Sequence, residues 1–162
     1  MNSSTKNNSA VNGASNTLAL ASSGFTPGGL KAALAQPGWA IVTATQESLG
    51  SADRLENVRN NLVLEQTLVT RGTPFVVLGG KWLGVDQGRS FLILAGEREA
   101  LGLARRSKQD AIVTSRGIVY ADGRVDPADH ARTYVGREAL ARDGYSTLPP
   151  ELGSIAFSLH ID

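Results

Sequence analysis

The sequence predicts an α+β fold: a ferredoxin-like split β-α-β sheet with two helices on one face, extra C-terminal strands and an extended N-terminal arm. Two observations lead to this prediction. Apolar strand-like segments alternate with helical segments in the order β-α-β-β-α-β, which is the pattern of that fold. The composition also changes sharply near residue 25 of a 162-residue chain, a length suited to one domain. We therefore predict an arm over residues 1–24 and a single α+β domain over 25–162.

A short helix and the first strand begin the predicted domain. Thr26 is a suitable N-cap, and Pro27 follows at the first helical position, where its missing N–H costs nothing. The Gln-Pro-Gly sequence at 36–38 ends this helix. Residues 39–45 are apolar and β-branched, which predicts a strand.

A long helix and two further strands follow. Apolar residues at helical spacing predict a helix over 51–71, and Gly72 is suited to end it. Strands are predicted over 74–78 and 89–95, because both segments are short and apolar. The glycine-rich segment 79–88 between them predicts a loop.

The second half of the chain supplies another helix and several short strands. A helix is predicted over 97–108, and segments 111–114 and 118–121 predict a hairpin. A short helix over 137–142 and a last strand over 155–161 complete the prediction. The predicted core consists of apolar residues from these elements: Ile41, Val42, Leu55, Val58, Leu62, Phe75, Val77, Leu92, Leu94, Leu101, Ile112 and Val119.

The N-terminal arm has few residues able to form a core. Its large aliphatic side chains are Val11, Leu18 and Leu20. Ordering about 24 residues costs on the order of tens of kcal/mol, and burying an aliphatic side chain returns only about 1.5–3 kcal/mol. The arm is therefore a disordered tail or, as we predict, a strap that docks on a partner through these residues. Trp82, in the glycine-rich loop, is a further predicted partner contact.

Charge and cysteine content exclude several classes of protein. Sixteen Lys and Arg against fifteen Asp and Glu give a net charge of +1, so no global field attracts nucleic acid. Any such binding would be local, with Arg98, Arg105, Arg106 and Lys108 as the candidates. The absence of cysteine excludes disulfides, thiolate metal sites and a cysteine nucleophile. The apolar run at 18–21 is too short for a signal peptide, and no stretch predicts a membrane span.

Acidic residues and a histidine cluster in one short segment. Asp122, Asp126, Asp129 and His130 include the ligand types of a metal site. Their spacing matches no established metal-binding loop, and Asp-Gly and Asp-Pro pairs are typical of turns. We interpret the segment as a surface turn. A small metal-dependent hydrolase built on these residues is the least favoured function.

Other potential sites lack the pattern that their chemistry requires. Ser90 follows a glycine-rich loop, but its surroundings are not the Gly-x-Ser-x-Gly of a nucleophile elbow. The loop itself has neither P-loop nor dinucleotide-binding spacing. His160 alternates with Leu159 and Ile161, which predicts a solvent-facing side chain. We predict no catalytic, cofactor-binding or metal-binding residue, no cofactor, and a protein that is not an enzyme.

Several short motifs over roughly residues 39–121 carry a family resemblance. They are Thr43-Ala44, Asn57 with Asn60 and Asn61, Lys81-Trp82-Leu83-Gly84, Ser90-Phe91 and Gln109-Asp110-Ala111-Ile112. In these the chain resembles a bacterial and bacteriophage family of small α/β proteins of unknown function. It departs from the family at Gly88, where an acidic residue is expected, and at residues 45–47, where Asn-Pro is expected. The departures imply that this chain has lost part of any polar site that the family has.

The arm, the lack of a catalytic set and the resemblance together predict a non-enzymatic interaction or assembly protein. The most specific form of this prediction is a bacteriophage virion component, such as a head, decoration or tail-associated subunit. Its partners would be other protein subunits, as a homo-oligomer or a larger assembly, in the virion or the host cytoplasm. A small nucleic-acid-binding module is the alternative, because ferredoxin-like sheets can present aromatic side chains to bases.

Overall fold

The computed structural model describes residues 27–46, 54–82, 85–86 and 88–161. The helices are α1 (Pro27–Leu34), α2 (Arg54–Arg71), α3 (Glu97–Arg106) and α4 (Arg137–Leu140), with a 3-10 turn at Pro150–Leu152. The strands are β1 (Ala40–Thr43), β2 (Phe75–Trp82), β3 (Val85–Asp86), β4 (Ser90–Ile93), β5 (Ala111–Thr114), β6 (Gly117–Tyr120), β7 (Val125–Val135), β8 (Gly144–Thr147) and β9 (Ala156–Ile161). The predicted arm over residues 1–24, with Val11, Leu18 and Leu20, lies outside the described residues.

Eight of these strands form a closed antiparallel β-barrel in the order β4-β1-β5-β6-β7-β9-β8-β2. The first half of β2 pairs with β4, from Phe75 opposite Ile93 to Leu78 opposite Ser90, which returns the sheet to its starting strand. The second half of β2 pairs with β8, from Gly79 opposite Thr147 to Trp82 opposite Gly144. The short strand β3 pairs with the end of β2 on the side of β4. A long β2 that pairs with both neighbours therefore closes the barrel.

The ferredoxin-like prediction is wrong, and two segments account for the error. The glycine-rich segment predicted as a loop continues β2 through residues 79–82 and supplies the pairing with β8. The segment predicted as a surface turn belongs largely to β7, which pairs with β6 and β9. Glycine and aspartate are poor strand formers by propensity, but tertiary pairing overrides that preference here. With these two strands added, the open sheet becomes a barrel.

Two helices cover one side of the barrel from outside. Side chains of α2 and α3 pack against the outward-facing residues of β1, β4, β5 and β6, and they form one buried cluster. The members of this outer cluster are Ala40, Val42, Ala44, Leu64, Leu68, Phe91, Ile93, Ala100, Leu103, Ala104, Ile112 and Val119. Alternate residues of the same strands point the other way, into the barrel.

The helix α1 closes one end of the barrel. Leu30 and Leu34 are buried there with Trp39, Leu78, Leu148 and Phe157, which form the second buried cluster. The indole N–H of Trp39 donates a hydrogen bond of 3.1 Å to the carbonyl oxygen of Leu34, so its polar atom is satisfied inside the cluster. The barrel is thus filled at this end.

The core prediction is correct for most of the strand residues but wrong for α2 and for Leu94. Val42, Ile112 and Val119 are buried, and five more predicted residues are partly buried: Ile41, Phe75, Val77, Leu92 and Leu101. In contrast, Leu55, Val58, Leu62 and Leu94 are exposed. The helix α2 turns Asn61, Leu64 and Leu68 inward instead.

Two asparagines explain the orientation of α2. The Asn61 side chain accepts a hydrogen bond from the Ala44 amide (3.1 Å) and donates one to the Thr45 hydroxyl (2.9 Å). One turn earlier, Asn57 accepts from the amide of Gln46 and donates to its carbonyl oxygen. These contacts satisfy backbone N–H and C=O groups of residues that follow β1. They fix which face of α2 is buried, even though a more apolar face is available.

Candidate functional site

The end of the barrel opposite α1 contains a cavity of about 780 Å³. It is open to solvent and is lined by residues of most of the strands. A volume in this range accommodates one small organic molecule, and barrel mouths are common positions for such sites. Eight-stranded barrels are just large enough to hold one small ligand when their interior side chains do not fill them.

The cavity exists because the inward positions change size along the barrel. Toward α1 these positions carry large apolar side chains, including Leu78, Leu148 and Phe157. Toward the open end many of them carry small ones: Thr43, Gly80, Ser90, Ala111, Gly144 and Ser146. Because the small residues lie on several neighbouring strands, the space that they leave is continuous.

The cavity wall is apolar with hydroxyl groups. Ile41, Val113 and Leu159 contribute apolar surface. Among the residues that the structure describes, the hydroxyls of Ser90 and Ser146 have no hydrogen-bond partner. The Thr43 hydroxyl is already used, because it donates to the Arg89 carbonyl oxygen at 3.1 Å. Ser90 and Ser146 can therefore give or accept a hydrogen bond from a molecule in the cavity.

Trp82 lies at the cavity mouth and is 43% exposed. Its ring lies against Gly144, so close that a Cβ atom there would be 2.6 Å and 2.9 Å from two ring carbons. Glycine at 144 therefore allows the indole to lie flat at the entrance. The predicted role of Trp82 in partner binding stays a prediction.

A pair of opposite charges adjoins the cavity through Tyr120. The hydroxyl of Tyr120, which lines the cavity, donates a hydrogen bond to the Asp126 carboxylate at 2.8 Å. Arg124 lies 3.0 Å from the same carboxylate and stacks over the Tyr120 ring at 3.5 Å. Desolvation lowers the pKa of Arg124, but its contact with Tyr120 and the charge of Asp126 outweigh this effect and raise the pKa overall. The guanidinium is therefore charged at any physiological pH, and it offsets the charge of Asp126.

The loop after α3 forms the rim on the side of β1 and β5. The Gln109 side chain donates to the Thr45 carbonyl oxygen at 2.8 Å and joins this loop to the end of β1. Lys108 is exposed beside the cavity and has a positive φ of 58°, which is uncommon for a residue other than glycine.

Three of the four predicted nucleic-acid residues lie at or just after the C-terminal end of α3, which ends at Arg106. Arg105 donates to the Ala121 carbonyl oxygen at 2.9 Å, and Lys108 lies at the cavity rim. Arg106 is the exposed last residue of α3, and Arg98 is exposed in its first turn. The nucleic-acid alternative stays a prediction.

The predicted surface turn is wrong for three of its four polar residues. Asp122 is in a turn, but Asp126, Asp129 and His130 are in β7. Asp126 faces inward, opposite Ile118 on β6, and Asp129 lies opposite His160 on β9. In the described ranges, no group of three or more His, Asp or Glu residues is arranged to hold a metal ion.

Both histidines are partly buried, although the sequence predicts surface positions for them. The His130 Nε2 atom contacts the Ser115 carbonyl oxygen, and its buried Nδ1 has no hydrogen-bond partner among the described residues. His160 is partly buried on β9, where a solvent-facing side chain was predicted. Neither histidine lines the cavity.

Sequence reasoning missed Gly80, Ala111, Tyr120, Gly144 and Ser146 as residues of the site. A usable signal was present in β8, where Gly144 and Ser146 alternate with larger residues, as expected for a strand with one face of small side chains. Glycine and serine are equally typical of a turn, so the local sequence does not decide between a strand and a turn there.

No helix in the described part of the chain is long and apolar enough to cross a membrane. A comparison with models of protein families gives no match, and neither does a comparison with curated protein sequences.

Proposed function

We propose that the protein binds one small, largely apolar and uncharged molecule inside its barrel. The observation that carries this proposal is the cavity of about 780 Å³, whose largely apolar wall holds two hydroxyls that have no hydrogen-bond partner among the described residues. A ligand of this class would bury its apolar surface and hydrogen-bond to Ser90 or Ser146. Burial of apolar area is worth about 25 cal/mol per Å², so an occupant of the cavity gains several kcal/mol.

The charges at the cavity favour an uncharged ligand. Asp126 occupies an inward position on β7, but Tyr120 and Arg124 already satisfy its carboxylate. A charged group deep in the cavity would lose its hydration without gaining a partner, which is costly. Among the described residues that line the cavity, the exposed Lys81 and Lys108 are the ones that would favour an anion.

The proposed function is the binding of this molecule, with no chemical reaction of it. A serine nucleophile needs a base within hydrogen-bonding distance. In the described residues, Ser90 has no such partner, and neither His130 nor His160 lines the cavity.

A pair of fluorescent probes tests both the binding and the ligand class. We expect the neutral probe N-phenyl-1-naphthylamine to bind one per chain with a micromolar Kd. The anionic probe 1-anilinonaphthalene-8-sulfonate, of similar size, should bind at least about tenfold more weakly, because its sulfonate must be desolvated. Fluorescence titration of the full chain measures both. Equal or tighter binding of the anionic probe would overturn the uncharged class, and no binding of either would overturn the function.

A second candidate function is that of a subunit in an assembly, as the sequence predicts. The specific observation in its favour is the set of large apolar side chains that α2 exposes. Docking through the arm at Val11, Leu18 and Leu20 stays a prediction, as does a bacteriophage virion as the assembly.

A further inference from the structure

The exposed side of α2 carries a stripe of apolar side chains, with the polar Glu65 and Gln66 beside it between Leu62 and Val69. Its members, which we call the α2 stripe, are Leu55, Val58, Leu62 and Val69, with exposures of 69%, 55%, 51% and 55%. At 3.6 residues per turn these four side chains lie within an arc of about 60°. Scattered apolar residues on a surface are ordinary, but a contiguous patch on one helix face indicates an interaction site.

The α2 stripe is separate from the face that holds α2 on the barrel. That face consists of Asn61, Leu64 and Leu68. Glu65 lies at the border between the two and pairs with Arg89 at 2.9 Å. Within the part of the chain that the structure describes, the stripe therefore belongs to neither buried cluster, and it is presented by a helix whose rotation is fixed.

The spacing of three of the four stripe residues is symmetric about Leu62, whereas the counterpart of Val58 is the polar Gln66. Leu55 is seven residues before it and Val69 is seven residues after it. Seven residues are two helical turns, so the three side chains point in nearly the same direction. If two α2 helices meet antiparallel at Leu62, then Leu55 of each copy faces Val69 of the other. A two-fold contact requires a surface that is complementary to itself in this way.

The size of the stripe is suited to a weak dimer. The helix has 18 residues and is about 27 Å long. The exposed parts of the four side chains amount to about 400 Å² of apolar surface on each copy. Together with the polar residues beside them, the two copies would bury a total area near the lower limit of specific interfaces, about 1,200 Å². The antiparallel arrangement also places opposite ends of the helix dipoles together.

We propose that the α2 stripes of two copies pack antiparallel around a two-fold axis at Leu62 and form a reversible homodimer. The contact lies on the outer surface of the barrel. Dimer formation is therefore independent of ligand binding in the cavity.

Sedimentation velocity of the full chain over a concentration series tests this proposal. We expect the wild type to dimerise with a Kd in the micromolar range, and Leu62→Asp to raise that Kd at least about 100-fold, because the axis would bring two carboxylates together. Val63→Asp is the matched control. Val63 is 67% exposed on the same helix but lies outside the stripe, so its replacement should change the Kd less than about threefold.

A cysteine scan gives the geometry directly, because the chain has no cysteine of its own. Leu62→Cys should form a disulfide-linked dimer rapidly under mild oxidation, since the axis places the two sulfurs within bonding reach. Val63→Cys should cross-link much more slowly. A wild type that is monomeric at the highest concentration would overturn the proposal. A dimer that both aspartate variants weaken equally, or one in which Val63→Cys cross-links as fast as Leu62→Cys, would also overturn it.

Discussion

Replacing Gly117 with alanine is expected to destabilise the barrel by about 3–5 kcal/mol, which is a large part of the stability of a typical domain. Gly117 is the first residue of β6 and has a φ of +120°, a conformation that side-chain-bearing residues rarely adopt. An added Cβ would collide with the Asp126 carbonyl oxygen and would lie 2.7 Å from the Ala128 amide nitrogen. These atoms belong to the backbone of β7, so relief requires loss of β6–β7 pairing.

Gly123→Ala is the control for this effect. Gly123 lies in the adjacent turn with a φ of +93°, and a Cβ there would meet no atom within 4 Å. Its replacement should cost only the local backbone strain, about 1–2 kcal/mol. Urea unfolding followed by circular dichroism measures both variants. Equal losses for Gly117→Ala and Gly123→Ala would mean that the close contact between β6 and β7 is not a constraint on the barrel.

Ser146→Phe is expected to weaken binding of N-phenyl-1-naphthylamine by at least about tenfold. The Ser146 side chain points into the cavity, opposite Gly80 on β2. The larger ring would occupy about 100 Å³ of the space that a ligand of this size requires. Because the cavity has room for the ring, the unfolding midpoint should change little.

Thr147→Phe separates a filled cavity from a general effect of phenylalanine on β8. Thr147 is the next residue of the strand, and its side chain points to the outside of the barrel, opposite Gly79. Probe affinity in this variant should remain within about twofold of the wild type. Equal weakening by the two variants would place the bound probe outside the barrel.

Local patterns in the sequence predict most elements but not their closure into a barrel. The hairpin of β5 and β6 is confirmed within one residue, because its apolar segments and its turn are adjacent in the chain. The pairing of β2 with β8 joins residues more than sixty positions apart. Gly79 and Gly80 indicate a loop when they are considered locally. At Gly80 the backbone of β8 lies so close that a Cβ would collide with the Tyr145 carbonyl oxygen.

The cavity cannot be predicted from the sequence for a related reason. Ser90 and Ser146 become neighbours of one cavity only after the barrel closes, and a small side chain in a strand has no local signature of an empty interior. The error on α2 has a different cause. Hydrophobic spacing favoured Leu55, Val58 and Leu62 as the buried face, but hydrogen bonds from Asn57 and Asn61 to the chain after β1 decide the rotation of the helix.

The position of a bound molecule tests the central claim, that the barrel is a binding site, most directly. Nuclear Overhauser effects between N-phenyl-1-naphthylamine and methyl groups of the protein provide this measurement. We predict contacts to Ile41, Val113 and Leu159, which line the cavity. No contacts should appear to Leu64 and Leu68, which lie in the core between α2 and the barrel. Contacts confined to Leu55 and Leu62 on the outside of α2 would contradict the account, because the probe would then bind the α2 stripe and leave the barrel empty.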